Sequence, residues 1–395
     1  MSIDCCIIGG GIIGLSIARE LAGRGHRVQV LTREPRRATA SWAAAGIFPP
    51  APEPCSADPN AELTALSDRL HWQWAGELRD ETGIDNGLTR CGGLSVARDD
   101  RGIDRLWVAA ESWRNRGTAC DWLTAGELAS SEPRLAGAVA AGRLVGGFLL
   151  PEEAAIRPPR QLEALEQSCL ARGVVITPSV AIEQMEVVGG RVTGLQGTRT
   201  GAAEFVRADR YVLAAGAWSG GLAEQLGLRI ETRPIRGQIA VVRFPRQTLR
   251  RIVNHGLDYL VPREDGRVLV GSTLEDVGFD STTAPAAIER LLGVAADLLG
   301  DLSAAVVEQA WAGLRPGSAD GLPTIGPVPG SDNAFVATGH FRAGLHQSAG
   351  TAVIVADLVE GRLPPIGIEA FAVDRECLPP GPDSVSAYLA RAGEA

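Results

Sequence analysis

Apolar residues along this chain switch repeatedly between two spacings. Residues 5–8 form an unbroken apolar run of strand length, and Ile13, Ile17 and Leu21 then recur on one face of a helix. Gly23 and Gly25 end that helix, and residues 26–31 return to a strand pattern. The pattern predicts a helix over residues 62–82, a strand beginning at residues 92–96, and a helix over 158–173 with Leu162, Leu165 and Cys169 on one side, before a strand at 174–176. Trp107, Trp113 and Trp122 read mainly as core or packing residues. Residues 209–219 form a buried strand that ends in a small turn. Residues 236–242 and 259–271 are strand-rich, with Glu264-Asp265-Gly266 turning one hairpin, which suits an antiparallel sheet. Ile288, Leu291, Leu292, Ala295 and Leu299 mark a helix started by Thr283 and Pro285. From Trp311 the chain becomes rich in glycine and proline, and a strand at 334–337 precedes a last long helix ending near Leu358.

The first strand and helix enclose Gly9, Gly11 and Gly14, a Gly-x-Gly-x-x-Gly pattern at a strand-to-helix turn. Gly9 allows the turn, Gly11 lets a pyrophosphate approach the backbone, and Gly14 lets the helix sit close to the strand, so the helix N-terminus faces phosphate. The acidic residue that ordinarily follows about 20 residues later to bind a ribose is missing. Thr32 and Arg33 stand there, with Glu34 next. Three readings stay open: Glu34 reaches back, Thr32 makes a weaker hydrogen bond, or adenosine binding is impaired. A run of small residues at 38–48 lets backbone lie beside a planar ligand, and it suits a tightly packed helix start equally well.

Composition narrows the classes. With 395 residues, 45% of them hydrophobic, the chain can bury a substantial core in two or three domains. A net charge of −9 without basic blocks argues against a nucleic-acid surface. Seven cysteines with no Cys-x-x-Cys spacing argue against a disulfide framework or structural zinc and favour reduced thiols in the cytoplasm. No apolar run approaches membrane-spanning length and no secretory signal is expected.

Taken together, residues 8–14, 40–46, 212–219, 259–263, 311–317, 320–326 and 339–344 resemble the D-amino-acid oxidase superfamily of flavoproteins, most closely the glycine oxidases of thiamine biosynthesis. The resemblance implies an α/β fold: a Rossmann-like FAD domain of the glutathione-reductase type, with an interleaved substrate domain built on an antiparallel sheet. The expected division is 1–88, 146–228 and 310–395 for the FAD domain, the last with a C-terminal tail, and 89–145 and 229–309 for the substrate domain. It implies non-covalent FAD, since the histidine and cysteine used for covalent links in some relatives are absent from the corresponding segments. The implied cofactor residues are Gly9, Gly11, Ile12, Ile13 and Gly14; Thr32 and Arg33; Thr39, Ala40, Ser41, Ala44, Ala45, Gly46 and Ile47; Val180; Ala215, Gly216 and Trp218; and Arg315, His340, Phe341, Arg342, Gly344, Leu345 and His346.

By the same resemblance, Arg315 pairs with a substrate carboxylate, Tyr259 also contacts it, and Arg342 lines the mouth of the site. A planar guanidinium suits this task because it holds a carboxylate bidentately and fixes Cα–H. Two departures stand out: Asn254, where family members often carry an aromatic hydroxyl, and Leu345-His346-Gln347-Ser348-Ala349 opening the last helix in place of an apolar stretch. The implied reaction is oxidation of glycine, sarcosine or a small D-amino acid by hydride transfer to flavin N5. The imino acid then hydrolyses to the oxo acid, and oxygen is reduced to hydrogen peroxide. A dehydrogenase of this fold with another electron acceptor and a non-catalytic flavin-binding protein remain alternatives. The implied partners are the amino acid and oxygen, with self-association left open and no metal.

Overall fold

The computed structural model describes residues 2–33, 39–53, 58–246, 249–376, 379–381 and 384–393. Two large sheets organise them. The first runs Thr324–Pro327, Ala334–Thr338, Arg210–Leu213, Cys5–Ile8, Val28–Thr32 and Val175–Pro178 in spatial order. Every pairing is parallel except that of Thr324–Pro327 at one edge. A parallel strand is covered on both faces, which explains why Cys5–Ile8 is apolar throughout. Cys5 and Ile7 enter a core shared with the helices Ile12–Gly23, Pro158–Ala171 and Gly344–Val359. Cys6 and Ile8 enter a second core on the opposite face. That face is covered by a meander of Val180–Val188, Arg191–Arg199 and Ala202–Val206, which the sequence pattern did not reveal.

The second sheet has eight strands, ordered Val306–Ser318, Thr232–Arg243, Arg267–Gly271, Asp258–Pro262, Ile252–His255, Gly93–Ala97, Gly146–Leu150 and Asp121–Thr124. Alternation divides its residues. Val253, Leu260, Val268 and Val270 pack against the helix Pro285–Leu299, whereas Tyr259, Val261 and Leu269 lie on the other face with Ile239 and Ile252. The expected α/β class with an antiparallel-rich second sheet is present. The expected domain limits meet this sheet unevenly, because Gly146–Leu150 begins after residue 145 and residue 309 falls inside Val306–Ser318.

Four local features add to or depart from the sequence pattern. The glycine- and proline-rich stretch from Trp311 is part of a thirteen-residue strand. This strand is at the sheet edge, where a missing proline N–H is tolerated. Trp107 is not core but a surface packing residue: it is 48% exposed and meets Trp122 edge-on, the ring centroids 4.9 Å apart. Thr283 does not cap the helix Pro285–Leu299. Gln238 Oε1 instead accepts from Ala284 N at 2.7 Å. A further helix, Val385–Gly393, follows the one that ends at Val359.

Candidate active site

Between the two sheets lies one continuous cavity of about 1300 Å³. Its first end is the strand-to-helix turn after Cys5–Ile8. Gly9 has φ +122°, and a methyl group there would lie 2.3 Å from Ala214 O. A methyl on Gly14 would lie 1.9 Å from Gly9 O, so helix and turn are in direct contact. The helix starting at Ile12 has no side-chain cap and no acidic residue in its first turn. Its electropositive end therefore faces the cavity uncompensated by a carboxylate, the arrangement that receives phosphate.

The small-residue loop is joined to this turn, since Ile12 N donates to Ser41 Oγ at 2.9 Å. Thr39 and Leu314 form a β-bridge, and a methyl on Gly313 would meet Ala43 Cβ at 2.5 Å. Lack of side-chain bulk on both elements thus lets this loop lie against the second sheet. Trp311 Nε1 donates to Ala43 O at 3.1 Å and fixes the contact.

Thr32 is buried and packs on Gly10, whose added methyl would lie 2.6 Å from Thr32 Cβ. Arg33 stacks over Trp218, 4.1 Å from the ring centre. Glu34 lies outside the described residues.

A second helix N-terminus, that of Gly344–Val359, meets the cavity from another direction and likewise has no side-chain cap and no first-turn acid. His346 is held at its rim: Nε2 lies 3.0 Å from Asp68 Oδ1 and the ring stacks on Phe48 at 4.2 Å. Gln347 donates to Asn60 Oδ1 and Thr64 Oγ1, both at 3.3 Å. His71 and His340 are held neutral, since burial lowers both to about 3.

At the far end, Arg315 lies on the cavity face of the second sheet. Its guanidinium occupies the space above Gly237, where a methyl would come within 2.2 Å of both terminal nitrogens. It donates to Ser272 Oγ at 2.9 Å and Thr273 O at 3.3 Å. Burial and the nearby Arg342 lower it to about 10, opposed by contact with the Tyr259 hydroxyl, so it stays charged at neutral pH. Tyr259 leans over Gly271 in the same way, with its hydroxyl 2.6 Å from the position of an added methyl. Phe341 has φ +45°, and this left-handed residue turns the chain so that Arg342 reaches the mouth. Arg342 is exposed there and stacks on Tyr388, 4.9 Å from its ring centre.

The residues expected from sequence thus converge: each lines the cavity except Gly14, which supports the turn from behind. Sequence reasoning missed Ser95, Trp113, Glu153, Thr338 and Tyr388, which also line it. Glu153 is the most unusual, a carboxyl 3% exposed. Asn254 Nδ2 donates to its Oε2 at 3.2 Å, and burial pushes it up to about 8. Among the described residues no cation pairs with it. No sequence signal distinguished Glu153 from its exposed neighbour Glu152.

Glu153 should leave a signature in stability. The native carboxyl keeps its proton to about pH 8, whereas 4.5 is the ordinary value. The native state therefore binds more protons between these values, and its stability falls as pH rises through that window. Glu153→Gln is expected to gain on the wild type over the same window, by on the order of a few kcal/mol at its alkaline end. Thermal melts at pH 5, 7 and 8.5 measure this, and a pH-independent difference would refute it.

A phosphate end, a small-residue loop fit for a planar ring and a charged arginine beyond it suit a dinucleotide redox cofactor next to an acidic substrate. This is the layout of an FAD-dependent oxidoreductase, and the glycine cradle and two helix N-termini without a first-turn acid fit that cofactor. The chain belongs to the DAO family of FAD-dependent oxidoreductases, whose family model matches residues 4–358. It is 34% identical over 375 residues to a glycine oxidase of Geobacillus kaustophilus, covering 94% of this chain and 97% of that protein. It is also 34% identical over 363 residues to the bifunctional protein ThiO/ThiG of Trichormus variabilis, covering 91% of this chain and 53% of that one. The crystal structure of glycine oxidase from Geobacillus kaustophilus superposes with a TM-score of 0.86 at 32% identity, covering 95% of this chain and 99% of the other. The flavoenzyme resemblance, fold class and cofactor expected from sequence are thereby established. Among the described residues no helix is long and apolar enough to cross a membrane, and no group of three His, Cys, Asp or Glu residues is placed to hold a metal.

Proposed function

We propose that this enzyme oxidises the α-amino group of glycine or a similarly small amino acid, such as sarcosine or a small D-amino acid. With oxygen as acceptor, amino acid, oxygen and water give oxo acid, amine or ammonia, and hydrogen peroxide. Bound FAD supplies the two-electron acceptor for this chemistry. The observation that carries the reading is the Arg315 guanidinium, charged, set above Gly237 and beside the Tyr259 hydroxyl on the cavity wall.

Arg315 would hold the substrate carboxylate through a planar fork, with the Tyr259 hydroxyl donating to the same group. Two anchors on one carboxylate limit its rotation and orient Cα, which accounts for rate through positioning. The cavity-facing carboxyl, Glu153, overlies Gly93, five strands along the sheet from the strand Val306–Ser318 that carries Arg315, so a glycine anchored at Arg315 is out of its reach and does not use it as a base. An amine that enters unprotonated suffices. A role in thiamine biosynthesis, implied by the family resemblance, and a cytoplasmic location, expected from the cysteine pattern, belong to the same proposal.

Peroxide formation and oxygen uptake with a panel of glycine, sarcosine and small D-amino acids test it. Anaerobic bleaching of the flavin without oxygen uptake would favour a dehydrogenase, and no bleaching with any amino acid would defeat the reading.

Arg342→Ala should have a modest effect, because an exposed cation at the mouth contributes about 0.5–1 kcal/mol. The expected outcome is a few-fold lower kcat/KM with FAD retained. Loss of FAD from this variant would contradict the assignment.

A further inference from the structure

The cavity face of the second sheet carries a row of functional side chains across several strands. Tyr259 and Asn254 are direct cross-strand partners, and Asn254 is in turn in register with Ser95. Gly93, two residues from Ser95, therefore lies on the same face. Its added methyl would fall 1.2 Å from Glu153 Oε2, so the Glu153 carboxyl occupies the space above Gly93 much as Arg315 occupies that above Gly237. Asn254 bridges the gap by donating to Glu153. One cavity contacts Arg315, Tyr259, Asn254, Ser95 and Glu153.

We propose that Glu153 and Asn254 form a second recognition site, which takes the terminal amino or guanidino group of a basic amino acid whose carboxylate is held at Arg315 and Tyr259. The inference rests on the amino-acid oxidation proposed above and extends it to substrates longer than glycine.

Length supports this. Three strand spacings separate Gly271, over which the Tyr259 hydroxyl lies, from Gly93, over which Glu153 lies, and the two-residue offset adds a diagonal, giving ~15 Å between the two ends. Glycine is far too short to touch both. A lysine- or arginine-length amino acid spans ~7–9 Å from carboxylate to terminal nitrogen, and a hydrogen bond of ~3 Å at each end brings the reach to ~13–15 Å, arginine coming nearest. Leu150 and Trp113 line the cavity near this end and offer apolar cover for the aliphatic stem.

Charge supports the choice of a cation. Glu153 is a buried carboxyl whose side chain has an amide as partner and, among the described residues, no guanidinium, ammonium or imidazolium. A ligand cation supplies the missing partner and draws the proton from the carboxyl, whereas a ligand carboxylate would meet an acid. Arg116, an exposed cation that also lines the cavity, stacks on Trp113 at 5.1 Å.

The test uses the FAD-loaded enzyme and peroxide formation with glycine and with both enantiomers of lysine, arginine and norleucine. Lysine or arginine should exceed norleucine, the apolar counterpart of lysine, at least tenfold in kcat/KM. Glu153→Gln should reduce that ratio at least tenfold, mainly through KM, while visible absorbance shows flavin still bound. Glu153→Asp, one methylene shorter, should shift preference from lysine toward arginine. A basic-to-apolar ratio near one, or a ratio unchanged in Glu153→Gln, overturns the second site. If glycine is turned over in that case, amino-acid oxidation stands alone. Absence of anaerobic flavin bleaching with every amino acid overturns both.

Discussion

Arg315→Ala is expected to raise KM for glycine about 10²–10³-fold while leaving FAD bound. The magnitude follows from removing one partner of a desolvated, charge-assisted pair, which costs about 2–5 kcal/mol. Part of that loss is the substrate carboxylate left in the cavity with only the Tyr259 hydroxyl. FAD should be retained because the phosphate end, at Gly9 to Gly14, lies on a different sheet from Arg315. Arg315→Lys should recover only part of the loss, since an ammonium carries the charge without the planar fork. Steady-state kinetics and flavin absorbance of both variants provide the measurement, and unchanged kinetics in Arg315→Ala would remove this residue from the site.

Gly14→Ala should instead abolish cofactor retention. The new methyl would lie 1.9 Å from Gly9 O, and that atom is main chain in the turn itself, so it has no rotamer by which to yield. Either the helix Ile12–Gly23 moves away from the strand or the turn deforms. Both displace the amides that face phosphate, and overpacking of this kind costs about 1–3 kcal/mol besides. Gly76→Ala is the control: nothing lies within 4 Å of its added methyl, inside the helix Pro59–Thr82. It should keep FAD and gain up to about 1 kcal/mol from helix propensity. Flavin absorbance after desalting and thermal melts separate the outcomes, and full FAD content in Gly14→Ala would refute the argument.

Local and distant features differed in how far sequence exposed them. The strand, turn and helix at residues 5–23 are encoded by neighbours, through one apolar run, three glycines and one helical stripe. Their geometry was therefore readable without the rest of the chain. Arg315 and Tyr259 meet only because four strands are ordered side by side, and the family resemblance rather than any local pattern paired them. Val306–Ser318 was hidden because glycine and proline mask its alternation, although an edge strand accepts them. The meander at residues 180–206 was hidden because it is a cover for someone else's core: its buried residues are few and irregularly spaced, and its strands carry many polar positions. Glu153 was illegible for a further reason. Its burial arises from a space that Gly93 leaves open on a different strand, and nothing within its own segment records that.

Gly237, Gly271 and Gly93 form the floor beneath Arg315, Tyr259 and Glu153. Since each polar group rests on main chain, the depth of the groove is a property of the sheet and not of the groups it seats. The consequence is a separation between what the pocket recognises and where it recognises it. Changing a seated side chain alters ligand chemistry at a fixed depth, whereas filling a floor position lifts an unaltered side chain toward the cofactor. New substrate preferences are therefore reached through the first kind of change, and the glycines, which bear no chemistry, carry the constraint.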